Sequence, residues 1–241
     1  MIVLTAEKDL PRKTHKGVIL VAAILLVGLG VALLISGGAI AVMNQTTTDK
    51  EGYSLSTPYH VGTSSYAFLI GIDPDHDPAD TALTKWVVTS TSPGKELFVG
   101  WAWINDSGPY LSGIQFEAPY PYWHWNYGPY SSTISIPTTK TWTGGAPSVL
   151  PTQENFWINS AQTSGSATIH YDRDWDNSTL GAKSLVIMNI DGTSNVQADI
   201  QLGTKIPVFT WLPLVLIPLG IVLFIAGAYA FTKHAKKQSN T

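Results

Sequence analysis

Four carboxylates crowd into Asp73-Pro-Asp75-His-Asp77-Pro-Ala-Asp80, alternating along a stretch that two prolines stiffen. Alternating Asp places several oxygens on one side of a turn, and Ca²⁺ takes six to eight such oxygens, so Asp73, Asp75, Asp77 and Asp80 are the candidate calcium ligands. The match is partial. An EF-hand loop asks for Gly at its sixth position and Glu at its twelfth, where this chain has Pro78 and Thr84. The competing reading is a solvated acidic loop. A second run, Asp172-Arg-Asp174-Trp-Asp176-Asn177, repeats the spacing, but Arg173 can neutralise it and Lys183 stands at the twelfth position.

Aromatic side chains form the second cluster. Tyr120-Pro-Tyr122-Trp123-His124-Trp125-Asn126-Tyr127-Gly128-Pro129-Tyr130 holds six aromatic rings in eleven residues, broken by Pro and Gly into what reads as a loop. Exposed together, Tyr120, Tyr122, Trp123, Trp125, Tyr127 and Tyr130 would stack on sugars, fill a protein partner's pocket or touch lipid. Folded back, they would cap the open edge of a β-sandwich. Local catalytic motifs are missing: the chain contains no G-x-S-x-G, H-E-x-x-H, P-loop or G-x-G-x-x-G. His60, His76, His124 and His170 are scattered singly, and no cysteine is present for disulfides, thiol catalysis or Cys-type zinc sites. A carboxylate pair for glycoside hydrolysis would have to come from distant strands. The expectation is therefore a non-enzymatic protein with no cofactor beyond a possible Ca²⁺.

The elements that must position these residues are legible from hydropathy. Gly17 to Met43 and Ile206 to Phe231 carry no charge over 27 and 26 residues, each enough to cross the ~30 Å hydrocarbon core of a bilayer. Ala39-Ile40-Ala41 resembles a signal-peptide cleavage site, although the first apolar run is far longer than a signal peptide's apolar region. Lys8, Arg12, Lys13 and Lys16 precede the first run, and Lys233, Lys236 and Lys237 follow the second. By the positive-inside rule both tails are cytoplasmic. The expected organisation is a basic tail at 1–16, a transmembrane helix at 17–43, an extracytoplasmic domain at 44–205, a second helix at 206–232 and a basic tail at 233–241.

That central domain carries 7 basic residues against 15 acidic ones, which argues against nucleic acid as a partner. Asn44, Asn105 and Asn177 head Asn-x-Ser/Thr sequons within it, candidate N-glycosylation sites. On the helices, Gly28, Ala32 and Ser36 form a small-xxx-small stripe that Ala226 and Ala230 could match, predicting close packing of the two spans or self-association. Pro213 and Pro218 are expected to kink the second span.

Between the spans, stretches rich in Val, Ile, Thr and aromatics recur at roughly ten-residue spacing between turn residues, the mark of an all-β domain. Ten strands are expected: Tyr53–Thr57, Ser64–Ile70, Lys85–Thr91, Glu96–Trp103, Leu111–Glu117, Thr133–Ile136, Asn155–Asn159, Ser166–Tyr171, Ser184–Asn189 and Asn195–Gln201. They predict an antiparallel β-sandwich flanked by two transmembrane α-helices. Asp191-Gly192 predicts a hairpin pairing the last two strands, and Pro93-Gly94 a second one.

A string of fragments, Glu51-Gly52-Tyr53 with Thr57, Tyr66-Ala67-Phe68, Phe98-Val99-Gly100, Tyr110-Leu111-Ser112-Gly113-Ile114, Pro151 with Gln153 and Phe156-Trp157, and Met188-Asn189 with Asp191-Gly192, resembles an uncharacterised family of actinobacterial and archaeal membrane proteins with two spans. The resemblance covers the central domain and both spans, and implies the same topology with an extracytoplasmic β domain and no known activity. The acidic and aromatic clusters have no counterpart in that pattern. Function is expected in binding: a protein partner, a wall or surface-layer component, or a glycan. An accessory subunit of a larger membrane complex, or an ectoenzyme acting on glycans, are the alternatives.

Overall fold

The computed structural model describes residues 13–72, 83–120, 123–128, 131–171 and 182–239. It divides into a helical unit, residues 1–44 with 208–241, and a β unit, Gln45–Pro207.

The helical unit contains most of α1 (Lys13–Thr47) and α3 (Pro207–Ser239). Each is long and apolar enough to cross a membrane. They run antiparallel, since Gly30 meets Gly220 and Phe224 whereas Gly37 meets Leu216 and Ile217. The buried small residues recur every seven positions: Ala23, Gly30 and Gly37 on α1, and Pro213, Gly220 and Gly227 on α3. A seven-residue period keeps one seam facing the partner in a left-handed pair. A Cβ placed on Gly30 would lie 2.6 Å from the Phe224 backbone nitrogen, so backbone meets backbone here.

Within this chain the seam is not the predicted stripe. Gly28 has nothing within 4 Å of an added Cβ, and Ala32, Ser36 and Ala226 are exposed, with Ala230 only half-buried. At about 100° per residue, Gly28, Ala32 and Ser36 lie on the side of α1 opposite the seam. α3 continues through Pro213 and Pro218. Pro213 has no N–H, which deprives the Phe209 carbonyl of its ordinary helical donor. The Asn44 side-chain amide supplies one from α1, donating to that carbonyl at 2.6 Å.

The β unit has two main sheets. The first, sheet A, runs β1 (Ser54–Leu55), β13 (Val196–Lys205), β4 (Leu83–Ser90), β11 (Ser166–Tyr171), with β2 (Tyr59–Thr63) beside β1 on the same edge of β13. Sheet B runs β10 (Asn159–Thr163), β5 (Leu97–Trp103), β12 (Lys183–Asn189), β3 (Ala67–Ile72), β6 (Phe116–Pro119), β9 (Thr139–Trp142). One core joins them: Trp86, Val88, Ile169, Ile200 and Leu202 from sheet A pack with Phe68, Ile70, Val99, Trp101, Leu185 and Ile187 from sheet B. Two sheets sharing one core make a β-sandwich.

The sheets differ on their outer sides. β13 alternates buried and half-buried positions until Leu202, so its other face meets water. β5 and β12 are buried on both faces, which is why they read as unbroken apolar runs. The outer cover of sheet B includes the short helix α2 (Ile104–Leu111), whose Leu111 joins Ile114, Ala67, Val186 and Met188 in a second core.

Neither predicted hairpin forms. β12 lies in sheet B and β13 in sheet A, so Asp191-Gly192 turns the chain from one sheet to the other; Pro93-Gly94 does the same between β4 and β5. Six residues separate the strands at both places, where a tight hairpin leaves two. Gly192 and Asn195 adopt φ of 69° and 64°, and Asn189 Nδ2 donates to the Thr193 and Ser194 carbonyls to hold the crossover. β2 and β9 are strands the sequence analysis did not predict. The predicted strand Leu111–Glu117 divides between the end of α2 and the start of β6, and Asn155–Asn159 is largely loop before β10.

Candidate functional site

Within the aromatic run, residues 124–128 form a strand rather than a loop. β7 (His124–Gly128) pairs with β8 (Ser131–Ser135), with Trp125 opposite Ile134 and Tyr127 opposite Ser132. Its first member, Trp123, folds inward: the indole Nε1 donates to the Gly71 carbonyl at 2.7 Å and the ring rests 5.5 Å from Trp86. Trp123 therefore caps the core and is unavailable as a free platform. Tyr122 and Tyr130 lie outside the described residues, as do the side chains of Trp125 and Tyr127.

Tyr120 does face outward, 49% exposed, and belongs to a strip on the β6–β9 edge. Phe116 and Trp142 are cross-strand partners whose rings stack in parallel at 5.0 Å. The exposed Lys140 places its ammonium 5.2 Å from both the Tyr120 and Trp142 rings. Phe116, Ala118 and Tyr120 alternate along β6 and its continuation, and Trp142 and Lys140 sit across from the first two, so the strip occupies one sheet face. Flat rings beside a cation can stack on a sugar or engage an anionic group.

Three of the fragments quoted for the resemblance, those holding Phe98, Tyr110 and Phe156-Trp157, meet on the outer side of sheet B. Phe156 and Trp157 pack on each other at 4.5 Å, Trp157 reaches Phe98 at 5.0 Å and Tyr110 at 6.0 Å, and Trp157 Nε1 donates to the Pro151 carbonyl. Gly100 makes room: a Cβ there would lie 2.4 Å from the Trp157 ring. Tyr110 donates to the Val149 carbonyl, and burial, helped by the Glu154 charge, pushes its phenol up to about 12. These residues do structural work.

A charged cluster that sequence reasoning missed lies where the chain enters the β unit. Lys85 heads the predicted strand Lys85–Thr91, yet it is only 4% exposed. Its ammonium pairs with Asp49 Oδ2 at 2.7 Å and with Glu51 Oε2, and lies 4.7 Å from the Tyr53 ring. Burial works against the charge on Lys85, but the hydrogen bonds to Asp49 and Glu51 outweigh it and raise its pKa. At Asp49 burial is likewise outweighed by bonds from Lys85 and from the Tyr53 and Glu51 N–H groups, which hold the carboxyl below its ordinary value; Lys85 lowers Glu51 in the same way. In the sequence its signal is the pair of carboxylates ahead of the first strand, whereas the register that sets Gly203 beside Lys85 shows only in the fold.

The remaining candidates separate. Asp73, Asp75, Asp77, Asp80 and Asn177 lie outside the described residues. Among the described residues no three His, Asp or Glu side chains converge as a metal site. Asn44 is engaged at the helix seam. Asn105 is exposed on α2, but the hydroxyl of its sequon partner Ser107 is buried against Ser184 at 2.7 Å. His60 and Asp199 pair at 2.9 Å across β2 and β13, both exposed.

No protein-family model matches this chain, and neither does any curated protein or solved structure.

Proposed function

We propose that this chain is a cell-envelope membrane protein whose β-sandwich, held outside by two spans with both termini in the cytoplasm, binds a glycan, a wall or surface-layer component, or a protein partner. The membership suggested by the string of shared fragments is part of the same proposal. The strip of Tyr120, Lys140, Trp142 and Phe116 carries the reading. Within the β unit it sets an exposed tyrosine beside a cation and two stacked rings, on the edge strand β9 and its neighbour β6.

The test uses the full chain in nanodiscs. Glycan-array binding and crosslinking in native membranes should both be weakened about tenfold or more by Tyr120→Ala with Trp142→Ala, while the thermal transition stays within a few degrees. Binding indifferent to both substitutions would move the function elsewhere. An accessory-subunit role has its own support in the open face of α1 at Gly28, where no described residue lies within 4 Å of an added Cβ. Loss of co-purifying protein on Gly28→Leu, with strip variants silent, would favour it.

A further inference from the structure

We propose that residues 48–53, which join α1 to β1, form an acid-releasable clasp on sheet A, with the Lys85 side chain as its catch. The proposal is independent of what the sandwich binds.

The segment is folded on itself. Asp49 N–H donates to the Tyr53 carbonyl at 2.9 Å, Gly52 N–H donates to the Asp49 carbonyl at 3.0 Å, and Gly52 takes a φ of 83°. Asp49 Oδ1 accepts from the N–H groups of Glu51 at 2.9 Å and Tyr53 at 3.0 Å. Its other oxygen holds Lys85. One carboxylate thus closes the loop and ties it to β4 together, so losing its charge loosens both.

The catch is built into the sheet. Lys85 reaches the segment beside Gly203, where a Cβ would lie 2.9 Å from Lys85 Cγ and 2.9 Å from Leu55 Cδ2. From β13, Lys205 adds a second hold, donating to the Glu51 carbonyl at 2.9 Å and lying 5.6 Å from the Tyr53 ring. From β11, His170 Nε2 stands 3.8 Å from Glu51 Oε2 and its ring meets Tyr53 edge-on at 5.9 Å. The titratable groups around Lys85 are therefore Asp49, Glu51, Tyr53, His170 and Lys205.

The sign follows from the carboxylates, which lie below their ordinary values when clasped. Their contribution is fully present above about pH 4–5 and is lost as pH falls through the lowered values. Six residues separate Thr47 from Ser54, and once released they can extend to about 20 Å.

Hydrogen exchange with mass spectrometry on the full chain in nanodiscs tests this, with rates corrected for pH. Residues 48–53 should lose protection about tenfold or more between pH 6 and pH 3.5, while β12 amides keep theirs. Lys85→Met should show the released state at pH 7. If Lys85→Met also strips β12 of protection, Glu51→Gln decides, because that side chain is half exposed: intermediate loss at 48–53 with β12 intact is expected. Wild-type protection at 48–53 in whichever variant decides overturns the proposal. So does a wild-type segment that loses protection together with β12 at a single pH.

Discussion

The helical and β units are held together by opposite means. Along the α1–α3 seam, contact comes from removing side-chain atoms: Gly30, Gly37, Gly220 and Gly227 let backbone approach backbone. In the sandwich, contact comes from adding them, with Trp86, Trp101, Phe68 and Ile187 filling the space between sheets about 10 Å apart. On the proposed membrane reading the difference follows from surroundings: an apolar side chain gains from leaving water, whereas in lipid it gains little by exchanging tails for a neighbouring helix, so close packing and polar contacts must hold helices together.

The largest test falls on the filled unit. Trp101→Ala empties a site where the ring packs 4.8 Å from Tyr171, and should cost about 3–5 kcal/mol. For a domain of this size the near-UV melting transition of the full chain should fall by about 10 °C. Next comes the emptied unit. Gly30→Leu forces a side chain into backbone and should cost about 1–3 kcal/mol. Spin labels at Ile19→Cys and Phe231→Cys, in a chain with no native cysteine, should report a broadened distance distribution. Gly28→Leu is the control and should leave that distribution unchanged. The smallest effect is Asn44→Ala, which removes the side-chain donor to the Phe209 carbonyl and should cost about 1 kcal/mol, read as a modest broadening in the same measurement. A Gly28→Leu effect as large as that of Gly30→Leu would erase the contrast.

Much of this was legible beforehand, unevenly. Both long helices were visible because absence of charge over more than 25 residues needs no context. Choosing their contacting face was harder: Gly28, Ala32 and Ser36 satisfy a four-residue spacing, but the seam follows seven, and only the longer count separates them. Strands buried on both faces, such as β5 and β12, stood out as apolar runs. Polar edge strands did not, as β9 and β10 show. Pairing was the least legible level. Within the two main sheets no described strand pairs with its neighbour in sequence, so local turn signals at Asp191-Gly192 and Pro93-Gly94 pointed to partners that distant strands had taken. Such non-local pairing also predicts slow folding.

At the candidate sites, residue type outran geometry. The aromatic run announced itself by composition, yet whether a ring faces solvent or core depends on strand register, and Trp123 went inward while Tyr120 stayed out. Lys85 was hidden for the converse reason. Its burial depends on carboxylates 34 and 36 residues earlier in the chain, a separation at which alternation says nothing.

The pairing of β1 with β13 has a mechanical consequence. Ser54 faces Thr204 and Leu55 faces Gly203, antiparallel, so the chain enters and leaves the sandwich through adjacent strands at one end. Tension applied to those two ends would pull across the ladder and open it one hydrogen bond after another, as a zipper does, instead of shearing many at once. The sandwich is thus weak against stretching from its two ends, and Lys205 bonded to the Glu51 carbonyl stands as the first tooth.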